Sequence, residues 1–122
     1  MRILIVDDNE PVAESTAELL LWIDRRARYI ETITLASDLD TAIRLVPNHD
    51  AVLCDGQFPN SGDSLFTAEE WDAIRREALR CGIHFVLYSG CARALDEARV
   101  SDIPAIAKPA PIEEIYAALT EL

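Results

Sequence analysis

The sequence predicts a doubly wound α/β domain, five strand–helix units on one parallel sheet. Three observations predict it. Short apolar runs recur and each stops at a polar residue: Ile3-Leu4-Ile5-Val6 before Asp7, Ala51 to Cys54 before Asp55, and Phe85 to Tyr88 before Ser89. Runs that are rich in branched residues and do not alternate suit strands buried on both faces. The segments between them have helical period, as in Leu39, Ala42, Ile43 and Val46, or Ile112, Ile115, Tyr116 and Leu119, both at i, i+3, i+4 and i+7. Helix start and stop residues fall between the two kinds of segment.

Strand 2–6 leads to helix 11–24, where Pro11 sits in the first turn and its missing N–H is not needed, and Ala13, Ala17 and Leu20 form the apolar face. A weaker strand, 29–35, precedes helix 38–46, for which Ser37 and Asp40 have the spacing of an N-cap and its third helical residue. Strand 50–54 follows, then a long polar connection from Gly56, then helix 67–80 with Thr67 and Glu70 at capping-box spacing and Trp71, Ile74 and Ala78 on one face. The connection reads as an interaction loop or a tolerated surface loop, and the second is preferred because loops accept length at small entropic cost. Gly82 suits the end of that helix. Strand 83–88, a short helix 92–99, strand 103–107 and helix 111–121 complete the order. Pro104 cannot donate to a ladder, which places the last strand at a sheet edge. Strand alternating with helix implies right-handed crossovers and helices on both faces. No linker, internal repeat or low-complexity tract interrupts residues 1–122, so one domain is expected.

Composition narrows the function. With 22 Asp and Glu against 11 Lys and Arg in 122 residues, the net charge is −11. Such a chain is not expected to bind nucleic acid directly, since polyanions select positive surfaces. No apolar run approaches the ~20 residues of a membrane span, and Ile3 to Val6 is too short for a secretory signal core. Cys54, Cys81 and Cys91 form no C-x-x-C pair and read as reduced thiols, which points to the cytoplasm. Arginine in preference to lysine, with frequent alanine, fits a bacterial source with a GC-rich genome.

In a doubly wound sheet the ligand lies beyond the carboxyl ends of the strands. The polar residues there are Asp7 and Asp8 after strand one, Asp55 after strand three, Ser89 after strand four and Lys108 after strand five. Lys108 is the sole lysine among the 11 basic residues. Two carboxylates about 4 Å apart repel by ~4 kcal/mol at an effective dielectric near 20, so a converging set needs a positive partner. Lys108 supplies one charge. Oxygen donors without His or Cys select a hard cation, and a site of few carboxylates with room for water suits Mg²⁺ better than Ca²⁺.

Ile3-Leu4-Ile5-Val6-Asp7-Asp8-Asn9, Val52-Leu53-Cys54-Asp55 with Pro59 beyond it, Ser89-Gly90 and Lys108-Pro109 together resemble the receiver domain of two-component response regulators, over the whole chain. The resemblance implies a flavodoxin-like sheet of strand order 2-1-3-4-5 and a phosphoprotein of phosphorelay signalling rather than an enzyme with a separate substrate. By position, Asp55 resembles the family's phospho-acceptor, Asp8 its direct Mg²⁺ ligand, and Asp7 an acid acting on the metal partly through water. Gln57 would lend a backbone carbonyl to the metal, Ser89 resembles the switch hydroxyl, and Lys108 the phosphate-binding lysine. Lys108-Pro109 resembles the bond that is usually cis in the family. The implied partners are a sensor histidine kinase or phosphotransfer protein and an unidentified output protein.

One position departs from the family pattern. Ala105 stands where an aromatic switch residue is common, which raises the alternative of a degenerate receiver, an interaction domain independent of phosphorylation. A haloacid-dehalogenase-type phosphatase is ranked lower, because Asp7-Asp8-Asn9 lacks the Asp-x-Asp pattern. A flavodoxin or nucleotide-binding domain ranks lower still, since no phosphate-cradling glycine-rich loop follows strand one. His49 and His84 read as structural, Trp22 and Trp71 as core or half-buried, Cys54 as a core residue, and Arg25, Arg26 and Arg28 as a solvated helix end. Cys91 and Gln57 lie at the edges of the site, as candidates for tuning hydrolysis.

Overall fold

The apolar runs form the sheet. A computed structural model describes residues 1–55 and 68–121. Its strands are β1 (Arg2–Val6), β2 (Thr32–Ala36), β3 (Ala51–Asp55), β4 (His84–Ser89) and β5 (Ala105–Ala107). They pair in parallel in the order β2-β1-β3-β4-β5, which is the expected topology. The helices are α1 (Glu10–Asp24), α2 (Leu39–Leu45), α3 (Ala68–Cys81), α4 (Ala92–Val100) and α5 (Ile112–Thr120), with a 3₁₀ turn at Val46–Asn48.

Alternation along each central strand divides the interior in two. Ile3 and Ile5 point to α1 and α5, where they meet Ala13, Leu20, Ile115 and Leu119. Leu4 and Val6 point the other way, to a cluster that holds Ala42, Trp71, Ile74, Ala78, Ala94 and Ala98. Each large apolar side chain removed from water in this way stabilises the fold by about 1.5–3 kcal/mol. Trp71 is buried and stacks on Phe85 with ring centroids 6.5 Å apart.

Several boundaries differ from the sequence expectation, each for a local reason. Helix α1 starts at Glu10 because Asn9 caps it, its side chain accepting the Val12 N–H. Helix α2 is capped by Asp38 rather than Ser37; the Asp38 carboxylate accepts both the Thr41 N–H and the Thr41 hydroxyl. Strand β2 starts later than expected, because residues 25–31 form a turn around the Asp24 carboxylate, which accepts the N–H groups of Tyr29 and Ile30. The Tyr116 hydroxyl donates to the same carboxylate at 2.6 Å and ties α5 to the end of α1. Burial and this bond push the Tyr116 phenol up to about 12. Strand β5 is an edge strand as expected but begins after Pro104, whose carbonyl accepts the Leu87 N–H. Thr67 and the connection from Gly56 lie outside the described residues, and with them the expected cap of α3; Glu70 falls in the first turn of that helix.

Both histidines are structural. His49 bridges the Leu45 carbonyl at 2.7 Å and the Thr34 hydroxyl at 2.9 Å, and His84 Nε2 donates to the Ala118 carbonyl at 2.9 Å. Cys54 is fully buried, and burial pushes its thiol well up. Trp22 departs from expectation. It is 58% exposed.

Candidate metal and phosphoryl site

Parallel strands carry their last residues to one edge of the sheet, and that edge holds the polar residues singled out above. Asp55 is the last residue of β3, Ser89 the last of β4, Asp7 follows β1 and Lys108 follows β5. The ladders continue through two of them and fix their backbones: Asp7 N–H donates to the Ala36 carbonyl at 3.0 Å, and Lys108 N–H to the Ser89 carbonyl at 2.9 Å. The bond between Lys108 and Pro109 is cis.

Asp7, Asp8 and Asp55 each place a carboxylate oxygen within 4.8 Å of the other two. Asp7 and Asp55 are buried, and Asp8 is half-buried. Lys108 Nζ donates to Asp55 Oδ1 at 3.0 Å and lies 3.9 Å from Asp7 Oδ2. Three carboxylates against one ammonium leave two negative charges when all are ionised. Crowding of this kind favours the protonated form of the acids. Burial, together with the facing Asp55 carboxylate, pushes Asp7 up to about 7, against the opposing pull of the Asn9 N–H on its Oδ1. Asp55 is also raised by burial, although Lys108 pulls it back. Two like charges in one desolvated site cannot both ionise at their ordinary values.

A hard divalent cation fits these residues. The donors are all oxygens, and two residual charges match one divalent ion. Asp8 Oδ1 is buried and has no hydrogen-bond partner among the described residues, a costly state for a carboxylate oxygen unless a ligand satisfies it.

Ser89 is fully buried, and its hydroxyl oxygen accepts the Cys91 N–H at 3.0 Å, which holds the start of α4 against the end of β4. Cys91 is the N-cap of α4 and half-buried. Gln57 lies outside the described residues. Sequence reasoning missed Tyr88. Its ring lies beneath the Lys108 ammonium, 5.0 Å from Nζ to the ring centroid, and its hydroxyl oxygen accepts the Ala110 N–H at 3.4 Å. Cation–π attraction of this kind contributes about 0.5–2 kcal/mol. The signal available was its place in an apolar run, one residue before Ser89.

No family model and no curated protein sequence matches the chain. Solved structures do. A response regulator receiver domain protein from Clostridium thermocellum aligns over 98% of this chain and 91% of its own at 19% identity, with a TM-score of 0.72. The fold is that of response regulator receiver domains. A two-component transcriptional regulator from Clostridium phytofermentans shares the receiver fold over 99% of this chain and 91% of its own, at 25% identity and a TM-score of 0.68. So does the isolated receiver domain of RcsB from Salmonella enterica serovar Typhimurium, solved with the phosphomimetic BeF3⁻, over 94% of this chain and 82% of its own, at 14% identity and a TM-score of 0.69. A receiver fold hosts chemistry only through its site, so function rests on the residues above. Among the described residues no helix is long and apolar enough to cross a membrane.

Proposed function

We propose that the chain is a phospho-accepting receiver of a two-component system, in which Asp55 takes a phosphoryl group from a histidine kinase or phosphotransfer protein with Mg²⁺ present. The observation that carries the proposal is the Asp55 carboxylate held at 3.0 Å by Lys108 beside two further acids, one with a buried, unpartnered oxygen. An Asp55 oxygen forms the new P–O bond. The donor's P–N bond to histidine, or the P–O bond of a small acyl phosphate, breaks and its electron pair leaves with the donor. Asp8 and Asp55 would hold the ion directly, Asp7 partly through water, with the Gln57 carbonyl as a further donor. Bound there, Mg²⁺ neutralises charge on the phosphoryl oxygens, so that an anion can approach an anion. Lys108 gives up part of its hold on Asp55 and takes a phosphoryl oxygen instead. Ser89 donates its hydroxyl to another, drawing the start of α4 inward and shifting an existing equilibrium toward the form that binds an output protein.

The RcsB receiver domain solved with a phosphoryl mimic on this fold supports the reading. The role is that of a signalling phospho-acceptor in the bacterial cytoplasm, acting by protein contact and without direct nucleic-acid binding. Intact-mass analysis after incubation with acetyl phosphate and Mg²⁺ tests it. One phosphoryl adduct is expected in the wild-type chain, none in Asp55→Asn, and none when the ion is chelated. An adduct that persists in Asp55→Asn, or a wild-type chain that stays unlabelled beside a labelled control receiver, overturns the assignment.

A further inference from the structure

The far end of the molecule carries a second surface that phosphoryl chemistry does not use. Helix α1 runs away from the acid cluster and ends where the strands begin: beyond it, the Glu31 N–H bonds the Met1 carbonyl at the start of β1. Around that helix end Trp22 is 58% exposed and Tyr29 62% exposed. Leu19, also exposed, precedes Trp22 by three residues and Arg26 by seven, so the three share one side of the helix and its final turn. The Arg25 guanidinium lies over the Trp22 ring, 4.1 Å from its centroid, and donates to the Trp22 carbonyl at 2.9 Å. Arg28 takes a left-handed backbone, φ 56°, at the turn.

The charge here is unbalanced in the opposite sense from the rest of the chain. Among the described residues, Arg2, Arg75, Arg76, Arg80, Arg93 and Arg99 pair with carboxylates. Arg44 on α2 does not, and neither do Arg25, Arg26 and Arg28, the three that cluster here in a protein of net charge −11. Of the neighbouring carboxylates, Asp24 is buried and engaged by two backbone N–H groups and the Tyr116 hydroxyl. The exposed Glu18 and Glu31 form no ion pair with the three arginines among the described residues, which leaves the patch with an excess of one positive charge over these two. Exposed Trp, Tyr and Arg together are the residues that dominate binding energy in protein interfaces. An arginine already laid flat on an indole is pre-ordered for a carboxylate.

We infer that the Trp22–Arg25–Arg26–Arg28–Tyr29 surface docks an acidic amphipathic helix of another protein, its apolar stripe on Leu19 and Trp22 and its carboxylates on the three arginines. A phosphate polyanion is disfavoured as the occupant, because the molecule as a whole repels one and the patch holds few cations. The strand length of β1 separates this surface from Asp55, so binding is independent of the phospho-acceptor, and the inference does not rest on the function proposed above.

Trp22 reports on its own surface, since Trp71 is buried away from soluble quenchers. The probe is an amphipathic helical peptide of about 20 residues with a leucine stripe edged by glutamates, set against the same peptide with lysines for glutamates and against a single-stranded oligothymidylate. The glutamate peptide is expected to shift Trp22 emission to the blue and protect it from iodide, and to bind at least tenfold tighter than the lysine peptide. Arg25→Gln/Arg26→Gln/Arg28→Gln and, separately, Trp22→Ala should each weaken binding at least tenfold by calorimetry with unchanged circular dichroism, and Asp55→Asn should bind like wild type. Equal binding of the two peptides, binding unaffected in both variants, or tighter binding of the oligothymidylate overturns the inference.

Discussion

Asp8 Oδ1 illustrates how much one atom can say about a site. A buried carboxylate oxygen without a donor is unfavourable by a kcal/mol or more, so its persistence among two other acids points to a ligand that satisfies all three. Asp8→Asn keeps the shape and removes one anionic donor. Mg²⁺ affinity measured by titration calorimetry is expected to fall at least tenfold, with the thermal midpoint of the metal-free protein unchanged or higher; unchanged affinity would remove Asp8 from the ligand set. At this scale the sequence was legible where a residue ends an apolar run. Asp7, Asp55 and Ser89 stand at such stops, and Lys108 is conspicuous as the single lysine. Asp24, Trp22 and Tyr88 were not legible. The donors to Asp24 stand 5, 6 and 92 residues away, and no local pattern announces such a meeting. Trp22 lies on an amphipathic helix, but its side of the helix faces solvent.

Elements were readable to the extent that a single local rule governs them. The end of α3 obeys one. Ile83 N–H bonds the Ala78 carbonyl at 2.8 Å and Gly82 N–H the Leu79 carbonyl at 3.2 Å, the two bonds of a Schellman motif, with Gly82 at φ 69°. A Cβ at Gly82 would touch nothing within 4 Å, so Gly82→Ala carries only the conformational penalty of a left-handed residue. It should lower unfolding free energy by about 1 kcal/mol in urea, without change in m-value. No loss would mean that the turn relaxes to another geometry. The end of α4 makes the same two bonds with Asp102 at φ 62°, and there the sequence offers no glycine to mark it. Strand β2 was faint for a different reason. It is the other edge of the sheet, half-buried rather than buried, and Thr32 and Thr34 dilute its apolar run. Edge strands carry less of the hydrophobic signal that makes central strands plain.

For the molecule as a whole, the acid cluster couples folding to pH and to divalent ions. Asp7 titrates near 3.8 when unfolded and about 7 when folded. Below the lower value both states are protonated and the group contributes nothing. Between the two, the unfolded chain has released the proton and the folded one keeps it, so stability falls as pH rises, and above about 7 the loss levels off. Asp55 is raised in the same direction and adds to the fall. A shift of this size corresponds to a loss of at most about 4 kcal/mol at pH 8, reduced by solvent screening of a site that is partly open. In chelator, the thermal midpoint should therefore decline from about pH 4 to about pH 7. Millimolar Mg²⁺ at pH 7.5 should restore it, because an ion that binds only the folded state stabilises that state by mass action. The net charge of −11 supplies a competing explanation, general self-repulsion that rises with pH. The two separate cleanly: self-repulsion is screened by NaCl at matched ionic strength and survives Asp7→Asn, whereas the site effect is insensitive to NaCl and flattens in that variant. A decline that NaCl abolishes, or that Asp7→Asn leaves intact, would assign the pH dependence to the surface and not to the three acids at the strand ends.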